Sequence, residues 1–103
     1  MMYRQGDVLI IRLDKTIPEE AEKVEPTERG HVLAEGEATG HAHAIMDVAE
    51  VEVLSLEEAL FLKVGRAVQV VHEEHAPLTL PEGTYQVIKQ REFTPQRIRP
   101  VWD

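Results

Sequence analysis

Histidine is the residue type whose spacing in this chain points most directly to chemistry. Four of the five histidines lie in two short stretches, His41 and His43 in the first, His72 and His75 in the second. Imidazole is the most common side-chain metal ligand, and residues two apart on a β-strand project from the same face. A strand therefore places His41 and His43 side by side as half of a binding site, and the second stretch can supply the other half.

The available donors favour a divalent transition metal. Imidazole nitrogens with nearby carboxylates and no thiolate suit Zn, Fe(II), Mn, Ni or Cu. We therefore predict that His41, His43, His72 and His75 are metal ligands inside the fold. An open coordination position on such an ion could activate water or polarise a substrate oxygen. The sequence shows no separate nucleophile or base, so it does not decide whether the site is catalytic.

The alternative interpretation is that the histidines are structural. They would then hydrogen-bond to one another and to neighbouring acids, and so fix loops. Glu73 and Glu74 fit both interpretations. Ligating histidines usually donate their second N–H to a carboxylate or carbonyl, but acidic side chains on a surface are also commonly exposed to solvent without such a role. Two functions follow: a metal-dependent binder or enzyme for a small molecule, and a non-catalytic, oligomeric interaction module.

Length and composition limit the class of protein. With 103 residues, 43% of them hydrophobic and 5% aromatic, the chain fits a single domain over residues 1–103 with an aliphatic core. The formal charge of -8 argues against a nucleic-acid partner, since phosphate neutralisation needs clustered Lys and Arg. Cysteine is absent, which excludes disulfides and thiolate sites.

The chain also lacks the signals of membrane insertion or export. No apolar run approaches the ~20 residues of a membrane span, and the first residues lack the apolar centre of a signal peptide. We therefore expect a cytoplasmic protein with no membrane partner. A chain this short buries a limited share of its surface, and open sheets leave edges to be paired, so we also expect a homo-oligomer.

Short apolar runs separated by turn residues predict an all-β fold. The pattern indicates a single small antiparallel β-barrel or sandwich. The strands are expected over Asp7–Leu13, His31–Glu35, His41–Asp47, Glu50–Leu54, Phe61–Val64, Ala67–His72 and Tyr85–Phe93.

Connections between these strands carry their own signals. The acidic segment of about residues 14–30, with Pro18 and Pro26, predicts a surface loop with at most one helical turn. Gly65 predicts a hairpin between two strands, and Pro81 with Gly83 predicts a turn that starts a return strand. Residues 94–103 are expected to add an edge strand or to wrap around the barrel.

Several motifs resemble those of a family of short, uncharacterised bacterial and phage-associated β proteins rich in histidine. They are QGDV at residues 5–8, GEATGHAH at 36–43, HEEH at 72–75, LPEGTY at 80–85 and QREF at 90–93. With them the resemblance covers nearly the whole chain, and it implies no particular activity.

A looser resemblance is to the cupins, small β-barrels that hold a metal inside the barrel. Their first motif, a glycine followed by His-x-His and an acid, is similar to Gly36, His41, His43 and Asp47. In the second cupin motif Pro-x-Gly precedes the last histidine, whereas here Pro81-Glu82-Gly83 follows the second histidine stretch. The resemblance implies a cupin-like barrel with His41 and His43 as ligands.

Overall fold

The fold is built from β-strands. The computed structural model describes residues 1–36 and 40–89. The strands of this part of the chain are β1 (Met2–Gln5), β2 (Val8–Leu13), β3 (Glu22–Val24), β4 (His31–Glu35), β5 (Ala42–Ile45), β6 (Val51–Leu56), β7 (Ala59–Val64), β8 (Val68–Val71), β9 (Leu78–Leu80) and β10 (Gly83–Lys89). Within these residues the helical content is one short 3-10 turn, Val48–Glu50, and no helix is long and apolar enough to cross a membrane.

The strands form two antiparallel sheets. One sheet has six strands in the order β1-β2-β10-β7-β6-β3, and the other has four in the order β4-β5-β8-β9. Neither sheet closes on itself within residues 1–36 and 40–89, so the arrangement is sandwich-like and not a closed barrel. The all-β prediction is confirmed, and of its two architectures the sandwich is the one that fits.

The core draws its side chains from both sheets. In β2, Val8 and Ile10 are fully buried while Leu9 and Ile11 between and after them are only partly buried, the alternation expected of a strand with one face on a core. The largest fully buried side chains are Tyr85, Ile10, Ile45, Leu62, Leu80, Val8 and Val70. Apart from Tyr85 they are aliphatic, as the low aromatic content predicts.

The sequence predicted a surface loop for the acidic segment, but part of the segment is a strand. It contains β3, which pairs antiparallel with β6 at the edge of the six-stranded sheet, and a tight turn in which Thr27 and Gly30 exchange backbone hydrogen bonds of 2.9 Å. The expected helical turn is a simple turn, in which the Ala21 N–H donates to the Pro18 carbonyl at 3.1 Å. The exposed side chains of β3 belong to an edge strand, where one side of the backbone ladder meets water.

The predicted hairpin at Gly65 is wrong. β7 pairs with β6 and β10, whereas β8 pairs with β5 and β9, so the chain crosses from one sheet to the other at this turn. The Gly65 N–H donates to the Glu50 carbonyl at 2.8 Å instead of starting a ladder with β8. The turn at Pro81 and Gly83 is present, but it too leads from the four-stranded sheet into the six-stranded one, because β10 pairs with β2 and β7.

Three predicted features lie outside the described residues. They are the end of the return strand with the motif at residues 90–93, the expected tail strand at 94–103, and residues 37–39 of the glycine-histidine motif.

Substitution of Leu62 tests the packing of this core. Its side chain has no exposed surface, so we expect Leu62→Ala to lower the free energy of unfolding by about 2–5 kcal/mol, as lost burial and a residual cavity add. Its neighbour Lys63 is exposed and lies 3.8 Å from Glu52, and Lys63→Ala should change stability by less than about 1 kcal/mol. Urea denaturation measures both values, and equal midpoints for the two variants would contradict the packing described.

Candidate functional site

The pairing of β5 with β8 brings the two histidine stretches together. Ala44 pairs with Val71 in an antiparallel register, so the same register continued by one residue places His43 opposite His72. Their ring centroids are 4.3 Å apart. The juxtaposition therefore follows directly from the sheet.

All four predicted histidines meet at this end of the four-stranded sheet. His72 is central: its ring centroid lies 5.7 Å from that of His41, in an edge-on arrangement, and 4.6 Å from that of His75. His75 lies 6.1 Å from His43 with the rings nearly parallel. We call His41, His43, His72 and His75 the histidine cluster.

Three side chains of this region bring metal-ligand atoms close together. His41, His72 and Glu73 each offer one such atom, and the three atoms lie within 4.8 Å of one another. Two ligands of a tetrahedral ion at about 2.0–2.1 Å lie about 3.3 Å apart, so the upper limit of 4.8 Å is close to the separation that an ion requires. In residues 1–36 and 40–89 it is the one group of this kind. We call these residues the triad.

His43 is held by the turn that joins β1 to β2. Its Nδ1 lies 2.8 Å from Gln5 Oε1, and its Nε2 lies 3.3 Å from Asp7 Oδ1. The Gln5 amide nitrogen donates to the carbonyls of Val70 at 3.0 Å and Ala76 at 2.9 Å, which turns Oε1 towards His43. Since an amide oxygen only accepts, Nδ1 of His43 carries the proton.

This tautomer leaves the Nε2 lone pair of a neutral His43 facing a carboxylate. Burial lowers the pKa of His43, and the nearby His72 lowers it further, while the hydrogen bond and charge of Asp7 act in the opposite direction. A lone pair and a carboxylate oxygen both accept, so the atom that can lie between them is a proton or a metal ion. The contact is therefore suited to holding a cation.

Glu74 contacts two members of the histidine cluster. Its backbone N–H donates to His72 Nδ1 at 3.0 Å, and its carboxylate oxygen lies 3.4 Å from His41 Nδ1. A neutral His72 in this bond carries its proton on Nε2. The ring can then ligate an ion through Nδ1 once the Glu74 N–H has moved away.

Glu73 is held as an anion by two donors. Its Oε1 accepts the Ala42 N–H at 2.9 Å, and its Oε2 lies 3.7 Å from Arg29 Nη2. The Ala42 N–H and then its own backbone N–H lower the pKa of Glu73. Arg29 also contacts Glu35 at 3.0 Å and donates to the Gly40 carbonyl at 3.0 Å, so one guanidinium from the acidic segment steadies the carboxylate of the triad.

Gly6 lets the same turn approach the cluster closely. It adopts a positive φ of 60°, and a Cβ built there would lie 2.6 Å from His75 Nε2. Gln5, Gly6 and Asp7 thus all touch the histidine cluster. Sequence reasoning gave them no role, although a polar QGD stretch before a buried strand was the available signal.

The predicted ligands fall into two pairs. His41 and His72 belong to the triad, whereas His43 is bonded to Gln5 and Asp7 and His75 stacks at the exposed side. Metal ligation by all four stays a prediction. Asp47, the cupin-like acid, follows the far end of β5 and precedes the 3-10 turn.

Two of the cavities in the described part of the chain have histidines in their lining, one at each end of β10. The smaller, about 180 Å³, is lined by His41, His43 and His72 together with Lys89. The larger, about 720 Å³, is lined by His31 and Gly83 among others and by no member of the histidine cluster. His31 is buried, and its Nδ1 has no hydrogen-bond partner among the residues that the structure describes. The chemistry-bearing side chains gather at the smaller cavity.

A family model matches most of the chain. It is described as Domain of unknown function (DUF8820), and it covers residues 4–90. No curated protein and no solved structure matches the chain significantly. The match includes the QGD turn and both histidine stretches, and its description names no activity.

Gln5 provides a test of how the cluster is held. Gln5→Leu removes the acceptor for His43 and leaves the carbonyls of Val70 and Ala76 without their donor, so we expect a loss of at least about 2 kcal/mol in the free energy of unfolding. Gln69 is exposed on β8, and Gln69→Leu should stay within about 0.5 kcal/mol of the parent protein. Urea denaturation of both variants makes the comparison. A Gln5→Leu protein as stable as Gln69→Leu would show that these hydrogen bonds do not hold the site.

Proposed function

The chain belongs to this family of domains of unknown function, and we propose that it binds one divalent transition-metal ion through the triad, His41, His72 and Glu73. The observation that carries the proposal is the approach of their three ligand atoms to within 4.8 Å of one another. Two imidazoles and one carboxylate suit Fe(II), Zn, Mn, Ni or Cu. They also leave coordination positions for water or a small ligand.

The charges around the triad support a cation. Four carboxylates lie here, those of Asp7, Glu35, Glu73 and Glu74. Two cationic groups, Arg29 and Lys89, oppose them. The excess of two negative charges equals the charge of one divalent ion. Since neutral histidine adds no charge of its own, binding the ion relieves a repulsion that the metal-free protein carries.

The His43–Asp7 pair lies next to His72, one of the proposed ligands. Gln5 holds the His43 proton on Nδ1, as a carbonyl or carboxylate does for many histidines near metals. With an ion bound, His43 Nε2 and Asp7 would form a pair of acceptors that could receive a proton from a water or ligand. This is cupin-like in using histidines of a β-fold, on a sandwich instead of a barrel.

Metal content is the direct test. Protein purified without an affinity tag and loaded with Zn²⁺, Fe²⁺ or Mn²⁺ is expected to retain close to one ion per chain. Saturation at 100 times the Kd should then stabilise the fold by about 2.7 kcal/mol, and a chelator should reverse this shift. Elemental analysis and thermal unfolding with and without chelator measure both effects.

Matched variants assign the ligands. Glu73→Gln and His41→Ala should weaken metal binding more than tenfold, because each removes one of three donors, while Glu58→Gln and His31→Ala should leave it unchanged. Isothermal titration with the metal gives the four affinities. Similar metal affinities for all four variants would refute the proposal. An unfolding temperature of the metal-loaded protein that does not change when chelator is added would also refute it.

A second candidate is a non-catalytic interaction module with structural histidines. The observation that favours it is the bonding of His43 through both ring nitrogens, to Gln5 and Asp7. In that case His43→Ala lowers stability by the same amount with and without metal.

The expected homo-oligomer belongs with this second candidate, since β1 is an edge strand of the described sheet and carries the exposed Met2. Sedimentation at micromolar concentration decides it, and a monomer mass would count against the module.

A further inference from the structure

Lys89, the last residue of β10, lines the same cavity as His41, His43 and His72. The cavity has a volume of about 180 Å³, well below the roughly 300–1,000 Å³ of sites for drug-sized molecules. At roughly 30 Å³ per water it holds about six waters. A ligand for this space is therefore a small molecule of a few carbon and oxygen atoms.

The ammonium group of Lys89 has a neutral partner. Its Nζ donates to the backbone carbonyl of Glu35 at 3.3 Å, and none of the ion pairs within residues 1–36 and 40–89 includes it. The carboxylates around it are engaged elsewhere, Glu35 with Arg29 and Glu74 with His41. Lys89 thus places a positive charge on the wall of a cavity that is also lined by His41 and His72, two of the three proposed metal ligands.

We propose that the metal-loaded site binds a small carboxylate, with one carboxylate oxygen on the ion and the remaining negative charge facing Lys89. The inference rests on the proposed function, because the ion supplies half of the recognition. Without the ion, the four carboxylates exceed the two cations by two charges, and an anion is repelled. With a divalent ion the region is neutral, and Lys89 and the ion attract the anion from two sides.

The donors favour a carboxylate over a phosphate. Phosphate is recognised most often by guanidinium forks or by converging backbone N–H groups. The guanidinium of Arg29 already contacts Glu35, Glu73 and the Gly40 carbonyl. One ammonium and one open metal position match the two oxygens of a single carboxylate, or the two ends of a short dicarboxylate.

The test is a titration of Co²⁺-loaded protein with malonate, a dicarboxylate of a size that fits the cavity. Co²⁺ reports a new ligand through its visible absorption, and gel filtration with elemental analysis confirms that the ion stays on the protein. We expect a saturable spectral change in the wild-type protein and none with metal-free protein. Lys89→Gln should weaken malonate binding at least tenfold while changing the Co²⁺ affinity less than twofold. Lys89→Arg should keep most of the malonate affinity.

Lys63→Gln is the matched control, since Lys63 is an exposed lysine of the neighbouring strand β7. Equal malonate affinities for Lys89→Gln and Lys63→Gln would overturn the inference, as would a wild-type protein that holds Co²⁺ but ignores malonate. Either result leaves the metal site standing. Failure to hold Co²⁺, seen in the titration without malonate, instead removes the proposed function and the inference with it.

Discussion

The register between β5 and β8 is the constraint on which the rest of the site depends. Ile45 pairs with Val70, and neither has exposed surface. A slip of either strand by one residue would turn that strand's buried side chain out of the core and would lose roughly 1.5–3 kcal/mol. His43 lies opposite His72 because these apolar residues fix the register. Burial of aliphatic side chains, and not the affinity of a metal, therefore assembles the histidine cluster.

What was predictable from sequence was local. The two-residue period placed His41 and His43 on one face and put His72 in line with Val68 and Val70, which are buried. The sheet crossings at Gly65 and Pro81 were not predictable, because a glycine turn between two apolar runs has the same local signal in a hairpin and in a crossover. The Gly65 N–H finds its acceptor on Glu50, and only the packed structure shows this long-range choice.

The contribution of the first strands was missed for the same physical reason. Gln5 forms hydrogen bonds with His43 and Ala76, which are 38 and 71 positions away in sequence. A local sequence pattern does not indicate which distant groups a side chain will bond. Arg29 was hidden differently: it lies in a segment whose composition reads as a solvated loop, yet its guanidinium reaches Glu73. The contacts of a long polar side chain are difficult to predict from sequence, since an exposed arginine and an arginine that bridges two segments have the same neighbours in sequence.

The side chains of the proposed metal site are already hydrogen-bonded in the structure, and an ion would have to replace some of these bonds. His72 Nδ1 accepts the Glu74 N–H, and Glu73 accepts the Ala42 N–H. Exchanging these two bonds for metal ligation costs about 0.5–1.5 kcal/mol each, small against the roughly 10–16 kcal/mol that structural zinc sites supply. The same bonds hold both side chains in the arrangement in which the three proposed ligand atoms lie within 4.8 Å of one another. Binding an ion at the proposed site would therefore require His72 and Glu73 to exchange these two backbone donors for the metal, while the paired strands that carry the histidines keep their register.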